Sequence, residues 1–599
     1  MANQLFARKP LSLLLEEMEG EHRLRRVLGP VTLTALGVGA IIGAGIFVLT
    51  GKAAHDNAGP ALMLSYVVAG TACVFAALCY AEFASMAPVA GSAYTYAYTT
   101  LGELFAWIIG WDLVLEYAVG SATVANGWSS YFQSVLRVFH YNLPATIGGA
   151  PIDYSPDVGK IVSTGSIINI PAIVIVAIVT IVLVVGIKES AGFNAAMVMV
   201  KLACVLFVIV VGAFYVNPAN WKPFAPYGFT GISFFGKMVS GIKDAGGHPL
   251  GMLAGAAIIF FAYIGFDSVS THAEEAKNPR RDVPIGIILS LIICTILYIA
   301  MVAVLTGMVR YDQIKVDAPV AAAFEQVGLP WAQFLIGVGG VTGITSVMLV
   351  MMLSQPRVLL AMARDGLLPK SFFGDVHPKF RTPWKSTIAT GIFVAALAGF
   401  LPIGILSDLV NIGTLLAFAI VCAAVLIMRK TAPEAKRPFK APLVPAMPIL
   451  GILFCFLLMF SLPAENWARL LGWLLIGFII YFGYSRFRSV MAGVGHRRVA
   501  PASAAATVVV LVVLLGGVIA YLTSSLELPV IAYVGIAAVF LSILIYFTSM
   551  AYKGAATMDI ISGQGAALAH EISAHGVSPA GSLATDVEEI GEGPKEGSK

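Results

Sequence analysis

Stretches of about twenty apolar residues recur along nearly the whole chain, and no other feature restricts its fold as much. They run near 31–53, 60–86, 101–133, 168–187, 192–215, 249–275, 284–308, 331–364, 386–403, 407–428, 447–463, 465–485, 503–523 and 528–549. Numbered in chain order, these are fourteen expected spans, each about long enough to cross the roughly 30 Å hydrocarbon layer as a helix. With 58% hydrophobic and only 12% charged residues, a soluble fold has nowhere to hide that surface. The bilayer is the solvent, and the expected fold is an all-α polytopic bundle.

Charge orients the bundle. With a cytoplasmic N-terminus, the inner segments hold 23 Lys and Arg residues and the outer ones nine. The positive-inside rule then places both termini in the cytoplasm of a multi-pass protein of the cell (plasma or inner) membrane, with an even number of spans. The residues before span 1, including EEMEGEHRLRR at 16–26, are too polar for a signal peptide. The formal charge of +4 gives no reason to expect nucleic acid. The six cysteines all lie in apolar runs without a CxxC pair, which suits packing rather than metal binding.

Residues 37–47 read GVGAIIGAGIF, with glycine at 37, 39, 43 and 45. Each costs a helix interior roughly 1 kcal/mol relative to alanine. Two explanations stand on this run alone. Non-helical backbone survives at membrane depth where protein or a water-filled cavity surrounds it, so the helix is broken there. Alternatively Gly39 and Gly43, in small-xxx-small spacing, allow close helix packing. A second interruption, IIFFAYIGFD at 258–267, favours the break. It falls in span 6, which runs opposite to span 1. Five spans followed by five inserted upside down form an inverted repeat, and matched discontinuous helices point to a transporter's midplane site. The half-helix starting near Gly45 offers unpaired N–H groups and a positive dipole end for a carboxylate. Carbonyls ending the preceding half-helix, and those near Phe260 to Tyr263, suit an ammonium group. Together they describe a pocket for an α-amino acid, with Ile42, Gly43, Ala44, Gly45, Ile46, Phe260, Phe261, Ala262, Tyr263, Ile264 and Gly265 as substrate-binding candidates.

Several motifs carry a family resemblance. GAGIF at 43–47, EFASMAPVAGSAYTYAYTTLGE at 82–103 (with Glu82, Pro88, Gly91, Tyr94 and Tyr96), FFAYIGFDSVSTHAEEAKNPRRDVPIGI at 260–287 and PRVLLAMARDGLLPK at 356–370 resemble the amino acid–polyamine–organocation superfamily, cationic amino acid transporter branch. The resemblance covers about residues 25–490. It implies a leucine-transporter-type 5+5 inverted repeat with discontinuous helices 1 and 6 and extra C-terminal helices. It also implies secondary active transport of amino acids, cationic or small neutral, commonly coupled to protons. The expected organisation is a cytoplasmic N-terminal segment (1–29), a transport core (30–430), additional spans 11–14 (431–551) and a disordered cytoplasmic tail (552–599). The expected partners are the amino acid and the lipid bilayer; a small accessory membrane helix and the oligomeric state are left open.

Charges inside spans are expensive and therefore candidates for function. Lys201, about nine residues into span 5, either snorkels to the cytoplasmic face or serves transport. In proton-coupled members of the family a helix 5 lysine stands where sodium sits in sodium-coupled relatives, and Lys201 in FNAAMVMVKLACV matches it. The resemblance thus implies proton coupling with no sodium and no other cofactor, Lys201 holding carbonyls of span 1 and hydroxyls of span 8 such as Thr345 or Ser346. Asp112 and Glu116 are four apart and share one helix face. Both are structural, or the deeper Glu116 reaches the substrate. Asp267, Glu274 and Glu275, and likewise Arg364 and Asp365, read as charged loop or as ion-pair gate. Phe260, Phe261 and Tyr263 read as packing or as a lid over the substrate. Met348, Met351 and Met352 face either the pocket or lipid. An enzyme is not expected, since no nucleophile, metal cluster or phosphate loop stands in a suitable context. A channel would want a continuous polar lining or filter repeat. An exchanger and a non-transporting amino acid sensor share every feature named.

Overall fold

A computed structural model describes residues 4–9, 28–86, 92–186, 191–271, 276–493, 501–523, 539 and 541–553. The chain is mostly helical. In order, the longer elements are α1 (Pro30–Ile41), α2 (Thr50–Ala53, flanked by π-helical turns Gly45–Leu49 and Ala54–Ala58), α3 (Leu62–Met86), α4 (Ser92–Thr100), α5 (Glu103–Val138), α6 (Ile170–Val185), α7 (Ala191–Ala213), α8 (Met252–Ile259), α9 (Ser268–Thr271) and α10 (Pro279–Met308). There follow α11 (Pro319–Gln326), α12 (Pro330–Arg364), α13 (Lys370–Phe373), α14 (Trp384–Phe400), α15 (Ile403–Thr431), α16 (Ala446–Met459), α17 (Ala464–Gly483) and α18 (Pro501–Thr523). Among the described residues eight helical stretches are long and apolar enough to cross a membrane, and five shorter apolar helices accompany them. Span 14 falls partly outside the described residues, and the tail lies outside them from residue 554.

Local chemistry sets the helix starts. Pro30, Pro171, Pro279 and Pro330 stand in the first turn of their helices, where the missing N–H costs nothing. Asn169 caps α6, its Oδ1 accepting from the Ala172 N–H at 3.2 Å. On α6, Val174, Ile178, Ile181 and Val185 are exposed while Val176, Val179 and Leu183 are buried, so one apolar face meets lipid and the other the bundle.

Close helix contacts hold the core. A Cβ on Gly340 of α12 would lie 2.3 Å from the Tyr131 ring of α5, and one on Gly339 would lie 2.5 Å from Cys204 Sγ of α7. The bare backbone of α12 lets both helices press on adjacent sides of it. Trp111 and Trp473 stack at 4.5 Å and exchange indole N–H bonds to each other's carbonyls at 2.8 and 3.1 Å, which fastens α17 to α5. All six cysteines are buried and free.

The all-α expectation needs correction in the connections. Among the described residues three two-stranded antiparallel ribbons fold there: β1 (Ile152–Ser155) with β2 (Lys160–Ser163), β3 (Ile232–Phe234) with β4 (Lys237–Ser240), and β5 (Ile242–Lys243) with β6 (Pro249–Leu250). The loops joining α5 to α6 and α7 to α8 are long and turn-rich, so they satisfy their own backbone as hairpins. A search for apolar runs does not see such strands.

Candidate functional site

Both interruptions are present. The first helix stops at Ile41, Ile42 turns extended (φ −75°, ψ 102°), and helical turns resume at Gly45. In the second, α8 tightens into a 3₁₀ turn over Phe260–Tyr263, Ile264 is extended, and Gly265 takes φ +116°, a region that L side chains rarely adopt. The two breaks touch. A Cβ on Gly45 would stand 2.4 Å from Ala262 Cα, and one on Gly265 would stand 2.7 Å from the Ala40 carbonyl oxygen. The glycines of the first run therefore divide. Gly37 and Gly39, inside α1, serve packing, since their Cβ positions would meet Ser290 at 2.6 Å and Val198 at 2.7 Å; Gly43 and Gly45 belong to the break.

A broken helix frees carbonyls that its own N–H groups no longer reach. Side chains from four other helices bond to carbonyls in and beside the two breaks. The Lys201 ammonium of α7 donates to the Gly39 carbonyl and to the Ile42 carbonyl at 3.2 Å. The Tyr298 hydroxyl of α10 lies 3.0 Å from the Ile41 carbonyl and 2.9 Å from that of Ala262, bridging both breaks. Tyr131 donates to Phe47 O at 2.8 Å. Asn411 of α15 donates to Ala257 O at 3.0 Å and Ile258 O at 2.9 Å. Some carbonyls that sequence reasoning offers to a substrate ammonium are thus occupied by the protein's own donors. Within the turn beginning at Gly45, the Phe47 N–H donates to the Gly43 carbonyl at 3.3 Å, so only the N–H groups ahead of Phe47 are at a helix start.

Lys201 is fully buried, so it does not snorkel. A Cβ on Gly343 would lie 3.0 Å from its Cβ, which sets the lysine between α1 and α12. Of the two expected hydroxyl partners on α12, Thr345 turns away, accepting from Trp128 Nε1 at 3.0 Å and donating to Val341 O at 2.7 Å. Ser346 is buried with an Oγ that makes no hydrogen bond among the described residues.

A second cluster holds three buried carboxylates. Asp112 and Glu116 of α5 are each 2% exposed and Asp267 is 1% exposed. Asp267, grouped by sequence with the charged loop, is instead a core residue that accepts from the Tyr117 hydroxyl at 2.7 Å. Glu116 neighbours Asp267 and Thr414, while Asp112 lies against α15, 2.6 Å from a Cβ position on Gly413. Both Asp112 oxygens, Glu116 Oε1 and Asp267 Oδ1 accept no hydrogen bond among the described residues. Glu274 and Glu275 lie outside them. Asp365 accepts from Tyr94 at 2.7 Å and from Lys9 at 3.2 Å, joining the N-terminal segment to the end of α12.

The aromatic candidates are packed. Phe260 meets Phe418 edge-on at 5.7 Å, and Tyr263 lies 6.0 Å from Tyr66. Met348, Met351 and Met352 are all buried, so they do not face lipid. Sequence reasoning missed Tyr298, Tyr131 and Asn411. Their one signal is a lone polar group in an apolar span, which must find a partner; periodicity does not say which helix that partner is on.

The family model described as "Amino acid permease" matches residues 28–485. The chain is 47% identical over 490 residues to the branched-chain amino acid permease BcaP of Bacillus subtilis, covering 82% of this chain and 99% of that protein. It is 45% identical over 489 residues to the methylthioribose transporter of the same organism, with the same coverage. It is 40% identical over 439 residues to the vacuolar cationic amino acid transporter 4 of Arabidopsis thaliana, covering 72% and 68% of the two chains.

Proposed function

We propose, from the premise that this chain belongs to the amino acid permease family, that it is a proton-coupled amino acid symporter working by alternating access in the cell membrane, with both termini cytoplasmic. Its relatives are named transporters and permeases, and the chain is not an enzyme. The observation that carries the coupling is the Lys201 ammonium on the carbonyls of Gly39 and Ile42. Protonated, Lys201 holds α7 to the broken first helix. Deprotonated, it loses the charge that makes those bonds strong, and the two helices part. A protein cation in this position leaves no need for sodium.

In this reading spans 1–5 and 6–10 are inverted repeats whose breaks form the substrate site. The substrate carboxylate lies on the N–H groups of Ala44, Gly45 and Ile46. Its ammonium lies on carbonyls of the Phe260–Gly265 segment. Glu116 and Asp267 are buried beside each other, which suits a shared proton or a basic side chain. The relatives' names span branched-chain amino acids, cationic amino acids and methylthioribose, so the pocket's side chains set the choice. Exchange and substrate sensing without transport are the rival readings.

The test is uptake of labelled alanine, arginine, leucine and methylthioribose into liposomes in sodium-free buffer, with and without an inward proton gradient. Gradient-driven accumulation of an amino acid is the expected result. Uptake only into preloaded vesicles reassigns the protein as an exchanger, and binding without flux reassigns it as a sensor. A sodium requirement overturns the role given to Lys201.

A further inference from the structure

A groove of about 460 Å³ opens at the start of α10, lined on one side by Arg280, Arg281, Ile285 and Leu289 and on the other by Pro438 and Phe439 of the α15–α16 connection. The second wall is held in place. The Phe439 N–H donates to Ser85 Oγ at 3.2 Å, and the Ala441 N–H donates to the Glu82 carboxylate at 2.8 Å. Glu82 also binds Arg429 at 2.7 Å and Arg437 at 3.3 Å, so the charges of those two arginines are spent inside the protein.

Arg280 and Arg281 differ. Both are exposed, and neither makes an ion pair or hydrogen bond among the described residues. The adjacent acid, Asp282, faces inward at 2% exposure and accepts from the Asn278 N–H at 3.2 Å. Lys436 and Lys440, exposed on the opposite connection, add to the positive field, and that connection itself carries one acid, Glu434. The groove also stands at the N-terminal end of a thirty-residue helix, where the backbone dipole favours an anion.

Apolar surface continues directly from the arginines. Arg281, Ile285, Leu289, Ile292 and Ile296 follow one another at spacings of four, four, three and four, and so share one helix face. Leu289, Ile292 and Ile296 are 44%, 44% and 62% exposed. A guanidinium pair at the foot of an outward-facing apolar stripe matches a phosphate diester carrying acyl chains. A soluble phosphate compound would use the arginines and leave the stripe unexplained.

We propose that this groove binds an anionic glycerophospholipid of the cytoplasmic leaflet, its phosphate on Arg280 and Arg281 and an acyl chain along Ile285, Leu289 and Ile292. The site rests on the cytoplasmic orientation proposed above and not on the transport reading, and its test needs no flux. The purified full-length protein in neutral detergent is titrated with phosphatidylglycerol, phosphatidylcholine or glycerol phosphate. Thermal unfolding and native mass spectrometry are read in parallel, so occupancy is measured independently of stability. Phosphatidylglycerol alone is expected to saturate and stabilise the protein. At about 1 kcal/mol for each arginine, the pair Arg280→Gln and Arg281→Gln is expected to weaken binding roughly 25-fold. Lys379→Gln, which removes one exposed charge elsewhere, leaves binding intact. Equal binding of phosphatidylcholine, or unchanged occupancy in the double variant, overturns the proposal. An equal shift with glycerol phosphate also overturns it and reassigns the groove to a soluble phosphate ligand.

Discussion

The ammonium of Lys201 sits where α1 stops bonding to itself, and its two carbonyl partners have no helical donor to return to. Lys201→Ala leaves the Gly39 and Ile42 carbonyls unpaired, at about 1–3 kcal/mol for each buried group. In the proposed mechanism it also uncouples the proton: accumulation under an inward proton gradient is expected to fall at least about tenfold, equivalent to roughly 1.4 kcal/mol, and to lose its pH dependence. Full, pH-coupled uptake by this variant would refute the role. The carboxylates separate in the same way. Glu116 neighbours Asp267, whereas Asp112 lies against the backbone of α15. Glu116→Gln is therefore expected to weaken uptake more than Asp112→Asn, and equal wild-type uptake in both would remove Glu116 from the site.

At the scale of elements, the paired breaks work as one unit because they touch. A methyl group on Gly45 meets the backbone of Ala262 at 2.4 Å, whereas on Gly43 it meets the Val347 side chain at 2.8 Å. Backbone cannot yield as a side chain can. Gly45→Ala is expected to cost more than the roughly 1–3 kcal/mol typical of overpacking and to abolish uptake, with Gly43→Ala the milder variant. Thermal unfolding and uptake on matched membrane amounts test the order. The α7–α8 connection carries a separate, titratable contact. His248 packs against Tyr154 with ring centroids 4.4 Å apart and planes tilted by 34°, and lies 3.4 Å from Asp244 and 3.5 Å from Glu465. Burial lowers its pKa, but Glu465 and Asp244 raise it further, leaving it above the usual 6.5. A raised pKa means that this contact stabilises fully below the unfolded value and is lost as pH rises through the folded one. Protection against hydrogen exchange over residues 230–250, taken relative to the intrinsic rate at each pH, is expected to fall as pH rises above the usual histidine range, and His248→Gln should remove that dependence.

For the whole molecule, orientation is the property that charge predicts most directly. Lys379, between α13 and α14, and Lys160, on β2, are both exposed and are expected on opposite sides of the membrane. The native cysteines are all buried, so an impermeant maleimide reports mainly on an introduced thiol. In intact cells Lys160→Cys should label and Lys379→Cys should label only after permeabilisation. The reverse pattern would invert the topology and would move the Arg280–Arg281 groove to the outer leaflet.

Much of this molecule was legible without coordinates, because membrane helices obey local rules. Hydrocarbon thickness sets the length of an apolar run, and backbone that cannot bond to water must bond within its own segment. The helices and both interruptions follow from those rules, and the motifs at 43–47, 82–103, 260–287 and 356–370 carried the family. The sequence did not contain the partners. Gly37 and Gly39 look like Gly43 and Gly45 until Ser290 and Val198 are seen beside the first pair and Ala262 beside the last. Asp267 looked like loop because burial is a property of neighbours. Lys201 had two destinations on spacing alone, and only the packing of α7 against α1 and α12 chose the carbonyls of Gly39 and Ile42. The length of apolar runs and the placement of glycine determine which stretches are helices and where they fail. Which side chains repair the failure depends on contacts between residues up to 257 positions apart, such as Tyr298 with Ile41, and those exist only once the bundle has closed.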